Sequence, residues 1–147
     1  MQLNGLTVYL VSCVRQKGEQ RCAARDLYTS VWFRKARRFA EASGCLWYIL
    51  SAKHGLVSPD VELEPYEQTL AKMRAADRQS WGVRVVTQLI EEVPNLARVE
   101  FLAGERYREF LVPILARRGV ESSIQMKGLP IGKQLRWLQQ HSPPQAE

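Results

Sequence analysis

Four consecutive apolar residues, Trp47-Tyr48-Ile49-Leu50, stop abruptly at Ser51 and open the segment WYILSAKHGLVSPDVELEPY, which ends at Tyr66. A run this short, rich in aromatic and β-branched side chains, reads as a buried strand. Residues 6–12 (LTVYLVS) form a second such run, apolar on both faces as parallel strands covered by helices tend to be. Residues 98–103 (RVEFLA) and 120–124 supply a third and a fourth. Between these runs the apolar residues recur at helical spacing. A helix is expected over 31–43, capped by Thr29 or Ser30, with Trp32, Phe33, Ala36, Phe39 and Ala40 facing in. Others are expected over 67–73, 77–92, 105–117 (with Pro113 set to kink it) and 131–141, the last after the glycine-flanked turn GLPIG. The alternation predicts a single compact α/β domain over residues 1–141, with 142–147 as a frayed tail. Its three layers would be built on a short, mainly parallel sheet of about four strands flanked by helices.

Composition narrows the partners. Twenty-one Lys and Arg against fifteen Asp and Glu give a net charge of +6. Within the first 43 residues, eight basic side chains face only three acidic ones, so most of the surplus sits in the first loop and helix. Such a balance favours an anionic partner, a nucleotide or a nucleic acid. No apolar run approaches the roughly 18 residues needed to span a membrane. The N-terminus has no basic region ahead of its apolar stretch, so it reads as a strand and not as a signal peptide. The three cysteines, Cys13, Cys22 and Cys45, have neither disulfide-framework nor metal-ligand spacing. A reduced, cytoplasmic protein with no metal and no cofactor is the expectation. GxGxxG, Walker and GxSxG motifs are lacking, which removes the main support for dinucleotide oxidoreductase, P-loop and α/β-hydrolase readings.

The candidate chemistry gathers where two strands end. In an open α/β sheet, ligands bind at the carboxyl ends of the strands. There the first strand delivers Cys13 and a long polar loop, VRQKGEQRCAARD, that carries Lys17 and Arg25 and leads to Tyr28 and Ser30. The second delivers Ser51, Lys53, His54 and Gly55, with Glu64 and Tyr66 placed to fold back. A soft thiol (Cys13), two tunable amines (Lys17, Lys53) and a base near neutrality (His54) suit attack on an electron-poor heterocycle or carbonyl. Arg25 would hold a phosphate or carboxylate, with Tyr28, Ser30, Ser51, Gly55, Glu64 and Tyr66 completing the substrate contacts. Arg34, Lys35, Arg37 and Arg38, on the first long helix, form a candidate nucleic-acid-binding face.

Several segments carry a family likeness: Cys13-x3-Lys17, ARDLYTSxxFRKAR, WYILSAKHGLVxPDxxxxPYxxTL and GLPIGKQLRWL. Together they resemble a small bacterial and phage family of uncharacterised function, itself similar to the peroxide-stress protein YaaA. The YaaA-like part is Ser51, Gly55, Leu56, Pro59, Pro65 and Tyr66. That resemblance implies a role in limiting oxidative damage to DNA, with a basic cleft. Cys13-x3-Lys17 is also similar to the start of the archaeosine synthase motif, although Ser12 stands in place of its proline. The archaeosine synthase likeness implies that Lys17 forms an adduct with a deazaguanine base. The combined expectation is an enzyme-like domain acting on a nucleobase, nucleotide or modified nucleic acid. The alternative is a non-catalytic nucleic-acid-binding accessory protein of oxidative-stress or phage-defence pathways.

Overall fold

The structure, a computed structural model, describes residues 5–14 and 17–142. The expected tail, apart from Ser142, lies outside the described residues, as does Arg15 of the basic loop.

Strand β1 (Leu6–Ser12) runs up the middle of the sheet, and β3 (Leu46–Ser51) lies parallel to it on one side. On the other side β6 (Leu96–Leu102) is also parallel, followed by parallel β7 (Glu121–Ser123). A fifth strand, β4 (Gly55–Val57), pairs antiparallel with β3, giving the order β4-β3-β1-β6-β7. The fold class is therefore the expected one, enlarged by this edge strand. Residues 52–54, which carry the candidate Lys53 and His54, are the tight turn of the β3–β4 hairpin.

Alternation along the central strands divides the core into two layers of packing. Val8 and Leu10 of β1, Tyr48 and Leu50 of β3, and Val99 and Phe101 of β6 face one side. There they meet Trp81, Val85 and Leu89 of α3 (Ala75–Glu92) and Leu111 and Leu115 of α5 (Leu111–Arg117). Val11, Ile49 and Leu102 face the other side, against Phe33, Ala36 and Ala40 of α2 (Val31–Ala42) and Leu138 of α6 (Ile131–His141). Ser30 caps α2, its Oγ accepting from Phe33 N at 3.0 Å. Its hydroxyl thus serves the helix terminus.

Three expectations are corrected. The helix expected over 105–117 is two pieces, α4 (Glu105–Arg108) and α5. Pro113 has no N–H to close a bond to Glu109, so it sits in the first turn of α5, where none is needed. The polar loop after β1 is not structureless. It holds β2 (Cys22–Ala23), paired antiparallel with β5 (Glu62–Leu63), and the single turn α1 (Ala24–Leu27). Backbone bonds from Ala24 N to Val61 O (2.7 Å) and from Arg25 N to Pro59 O (3.0 Å) extend the pairing. The loops that follow β1 and β4 are therefore stitched together. The segment expected to be helical over 67–73 is reduced to a 3-10 turn at Leu70–Lys72.

Candidate functional site

Connections leave β1 towards β3 on one side and arrive at β6 on the other. The carboxyl ends of β1 and β6 therefore flank the point where strand order reverses, the usual place for a ligand crevice in such sheets. Cys13, just past β1, continues the ladder by donating its N–H to Leu50 O at 2.9 Å. Its Sγ lies 3.1 Å from the Tyr107 hydroxyl on α4, bridging the reversal point. Tyr107 in turn packs edge-on against Trp81 of α3.

Next to this bridge lies a buried chain of hydroxyls. Tyr66 OH is 2.5 Å from Tyr28 OH and 2.7 Å from Ser51 Oγ. Ser51 Oγ also accepts the backbone N–H of His54 at 3.0 Å, and Ser51 O accepts Trp81 Nε1–H at 2.9 Å. Burial pushes the Tyr28, Tyr66 and Tyr107 phenols well above the ordinary range, so all three stay protonated near neutrality. These phenols are fixed hydrogen-bonding groups, not bases.

Three nitrogen groups surround the Tyr66 ring. Lys17 Nζ lies 4.5 Å from its centroid, and also 5.6 Å from that of Tyr28. Lys53 Nζ is 5.9 Å away, and the His54 ring meets Tyr66 edge-to-face at 5.3 Å. Lys17 comes back over the site because its backbone bridges to Tyr28, with Gly18 N donating to Leu27 O at 2.8 Å. Burial lowers the Lys17 pKa, with the Cys13 and Glu67 charges acting the other way. His54 is lowered too, first by burial and then by the charges of Lys53 and Arg84. An amine and an imidazole that give up their protons readily thus share one aromatic neighbour.

A cavity of about 230 Å³ opens beside Lys17, walled by Lys17, Glu67, Thr69 and Lys72. The turn that carries Lys53 and His54 is fixed by Gly55 at φ 77°, where a Cβ would lie 2.5 Å from Gln88 Oε1. That oxygen accepts Leu56 N–H at 2.9 Å, so Gly55 permits α3 to clamp the hairpin.

The fold brings together Cys13, Lys17, Tyr28, Ser51, Lys53, His54 and Tyr66. It does not bring Arg25 to them. Arg25 forms ion pairs with Asp60 and Asp26 and borders a different cavity, of about 350 Å³, with Trp47 and Cys45. Glu64 turns outward to Arg21 at 3.6 Å. On α2, Arg37 Nη1 is 2.9 Å from Asp26 and its Nε is 3.1 Å from Glu41, while Lys35 bonds to Gln139 of α6. Only Arg34 of the four candidate nucleic-acid contacts is exposed; Lys35, Arg37 and Arg38 are part-buried.

Sequence reasoning missed Tyr107, Trp81, Glu67, Thr69 and Lys72. Tyr107 and Trp81 each sit on a helix-period apolar face, a pattern that marks a core position and not what the polar atom of either meets. Glu67, Thr69 and Lys72 directly follow Pro65-Tyr66, and that proximity was the available signal. Among the described residues, no three of His, Cys, Asp and Glu converge as a metal site, and no helix is long and apolar enough to cross a membrane.

The family described as a family of unknown function, DUF6884, matches residues 8–140. The chain belongs to that family. No curated protein and no solved structure matches it. The DUF6884 match takes in the whole Tyr66 cluster and its cavity, and it carries no link to YaaA or to archaeosine synthase.

Proposed function

We propose that the domain is an enzyme acting on a nucleobase, nucleotide or modified nucleic acid, with Lys17 as the nucleophilic amine. The observation that carries this reading is the placement of Lys17. Its amine is half-buried at the strand-order reversal, against the Tyr66 ring, with its affinity for a proton lowered and a polar cavity in front of it. A lysine whose hold on its proton is weakened by burial is a better nucleophile towards a carbonyl or nitrile carbon. His54, held largely neutral, is the candidate acceptor of the proton released from the attacking amine, and Lys53 the candidate donor. Cys13, held by Tyr107, is the alternative nucleophile. The purine-like substrate class is supported by the basic charge and by the likeness of Cys13-x3-Lys17 to the archaeosine synthase motif.

Intact-protein mass spectrometry tests the assignment after incubation with 7-deazaguanines bearing a nitrile or an aldehyde, the latter with borohydride. The expected result is one added ligand mass with the nitrile, and with the aldehyde that mass less the water lost on imine formation plus two hydrogens from reduction, in each case mapping to Lys17 and lost in Lys17→Ala. An adduct confined to Cys13, or none on any residue, overturns it.

A second reading, nucleic-acid binding without catalysis, is favoured only by Arg34 and Arg38, which lie one turn apart on α2. With Arg37 and Lys35 tied internally, two backbone contacts give a log–log salt slope of only about −1.8 at roughly −0.9 per phosphate. A markedly steeper slope, abolished by Arg34→Ala with Arg38→Ala and untouched by His54→Ala, would replace the enzyme reading.

A further inference from the structure

Arg25, the anion anchor expected from sequence, is paired with Asp60 and Asp26 beside another cavity. The cavity at Lys17 nevertheless has the groups to hold an anion. Thr69 and Lys72 stand at either end of the 3-10 turn, and the Thr69 side chain makes no capping bond to it. Leu70 between them is fully buried and fixes their backbone, while the Lys72 amine is at the surface. Lys72 and Thr69 both line this polar cavity, with Glu67 as the carboxylate in its wall, and an ammonium and a hydroxyl there suit a phosphate, which takes charge-assisted hydrogen bonds from such groups. The cavity, at about 230 Å³, is smaller than the roughly 300–1,000 Å³ that encloses a whole drug-sized ligand. It fits one end of such a ligand.

We propose that Lys72 and Thr69 form the anion subsite of this cavity and take the terminal phosphate monoester of a mononucleotide, placing the rest of the ligand within reach of Lys17. The proposal rests on reading the Lys17 cavity as the substrate site. Among the described residues, the charged or titratable groups near Lys17 include Cys13 after β1, Tyr28 and Tyr66 whose rings it meets, Lys53 and His54 on the hairpin turn, and Glu67 and Lys72 after Tyr66. A bound phosphate adds negative charge beside the amine, as Glu67 does, and so favours its protonated form. Occupancy should therefore slow acylation of Lys17.

Acetylation of the full chain by a small N-hydroxysuccinimide ester, followed at Lys17 by peptide mass spectrometry, reads this directly. Millimolar inorganic phosphate should slow the reaction several-fold relative to potassium chloride of equal ionic strength, and GMP at least as much. Lys72→Ala and Thr69→Val should lose the protection, Lys72→Arg should retain part of it, and Arg25→Ala should keep it whole. Protection that survives Lys72→Ala, disappears in Arg25→Ala, or is absent from the native protein overturns the proposal. So does stronger protection by a dinucleoside monophosphate, which has no monoester. The two readings fail separately: an absent deazaguanine adduct with protection intact removes the nucleophile, whereas an adduct without protection removes the subsite.

Discussion

Two groups of cations lie close together in the sequence and behave in opposite ways in the fold. Arg25 and Arg37 meet carboxylates: Asp60 and Asp26 for the first, Asp26 and Glu41 for the second. Their charge is neutralised where it stands, and they tie the polar loop to α2 and to the segment before β5. Lys17, Lys53 and His54 instead gather round the ring of Tyr66. A ring face attracts a cation without neutralising it, and for Lys17 and His54 burial also works against the charge itself. Carboxylates hold the first group's charge in place; the aromatic setting of the second leaves Lys17 and His54 with a weaker hold on their protons.

The largest effect that separates the two groups is at their centres. Tyr66→Ala removes a buried ring and strands the hydroxyls of Tyr28 and Ser51. It should cost about 3–5 kcal/mol, read as a lower urea midpoint. Tyr66→Phe, which keeps the ring, should cost about 1–3 kcal/mol for the hydroxyls left unpaired. Equal losses from the two variants would show that the hydroxyl chain, not the ring, holds the site together.

The next effect is one of pH. The folded pKa of His54 lies below its unfolded value near 6.5, so between the two the unfolded chain binds the extra proton. The penalty is fully present below the folded pKa and vanishes as pH rises through the unfolded one. Stability should therefore climb with pH through this window, and His54→Gln should flatten the climb in thermal melts. A slope of the opposite sign would mean that a carboxylate, not burial, governs the imidazole. The smallest effect belongs to Arg25→Ala. The Asp60 side chain is 82% exposed, and such a pair contributes only about 0.2–1 kcal/mol. A larger loss in the urea midpoint would show that the Arg25–Asp60 pair is more than a solvated surface contact.

Much of the frame was legible because its signals are local. The last helix is bounded by Gly128, Pro130 and a periodic apolar face, and it runs over Ile131–His141 as expected. LTVYLVS could pack only as a covered strand. The hairpin strand β4 was not legible, because three residues that begin with a glycine carry no periodicity. Nor were β2 and β5, whose two-residue pairing depends on contacts across about forty positions of chain. The same limit applies to the site. Adjacency of strand ends put Cys13, Lys17, Ser51 and His54 in one neighbourhood, but no local signal tied Arg25 to Asp60, thirty-five positions further along the chain. Tyr107 was hidden by its own usefulness as an apolar residue, since helical spacing describes where it sits and not what its hydroxyl meets.

The sheet also has a consequence for association. Its central strands, β1 and β6, run seven residues, while its two rims, β4 and β7, run three. A visiting strand would find only a few unpaired amides on either border before the backbone turns away, which is how native sheets resist growth by added strands. Fibril-like stacking and capture of extended peptides therefore have little template among the described strands.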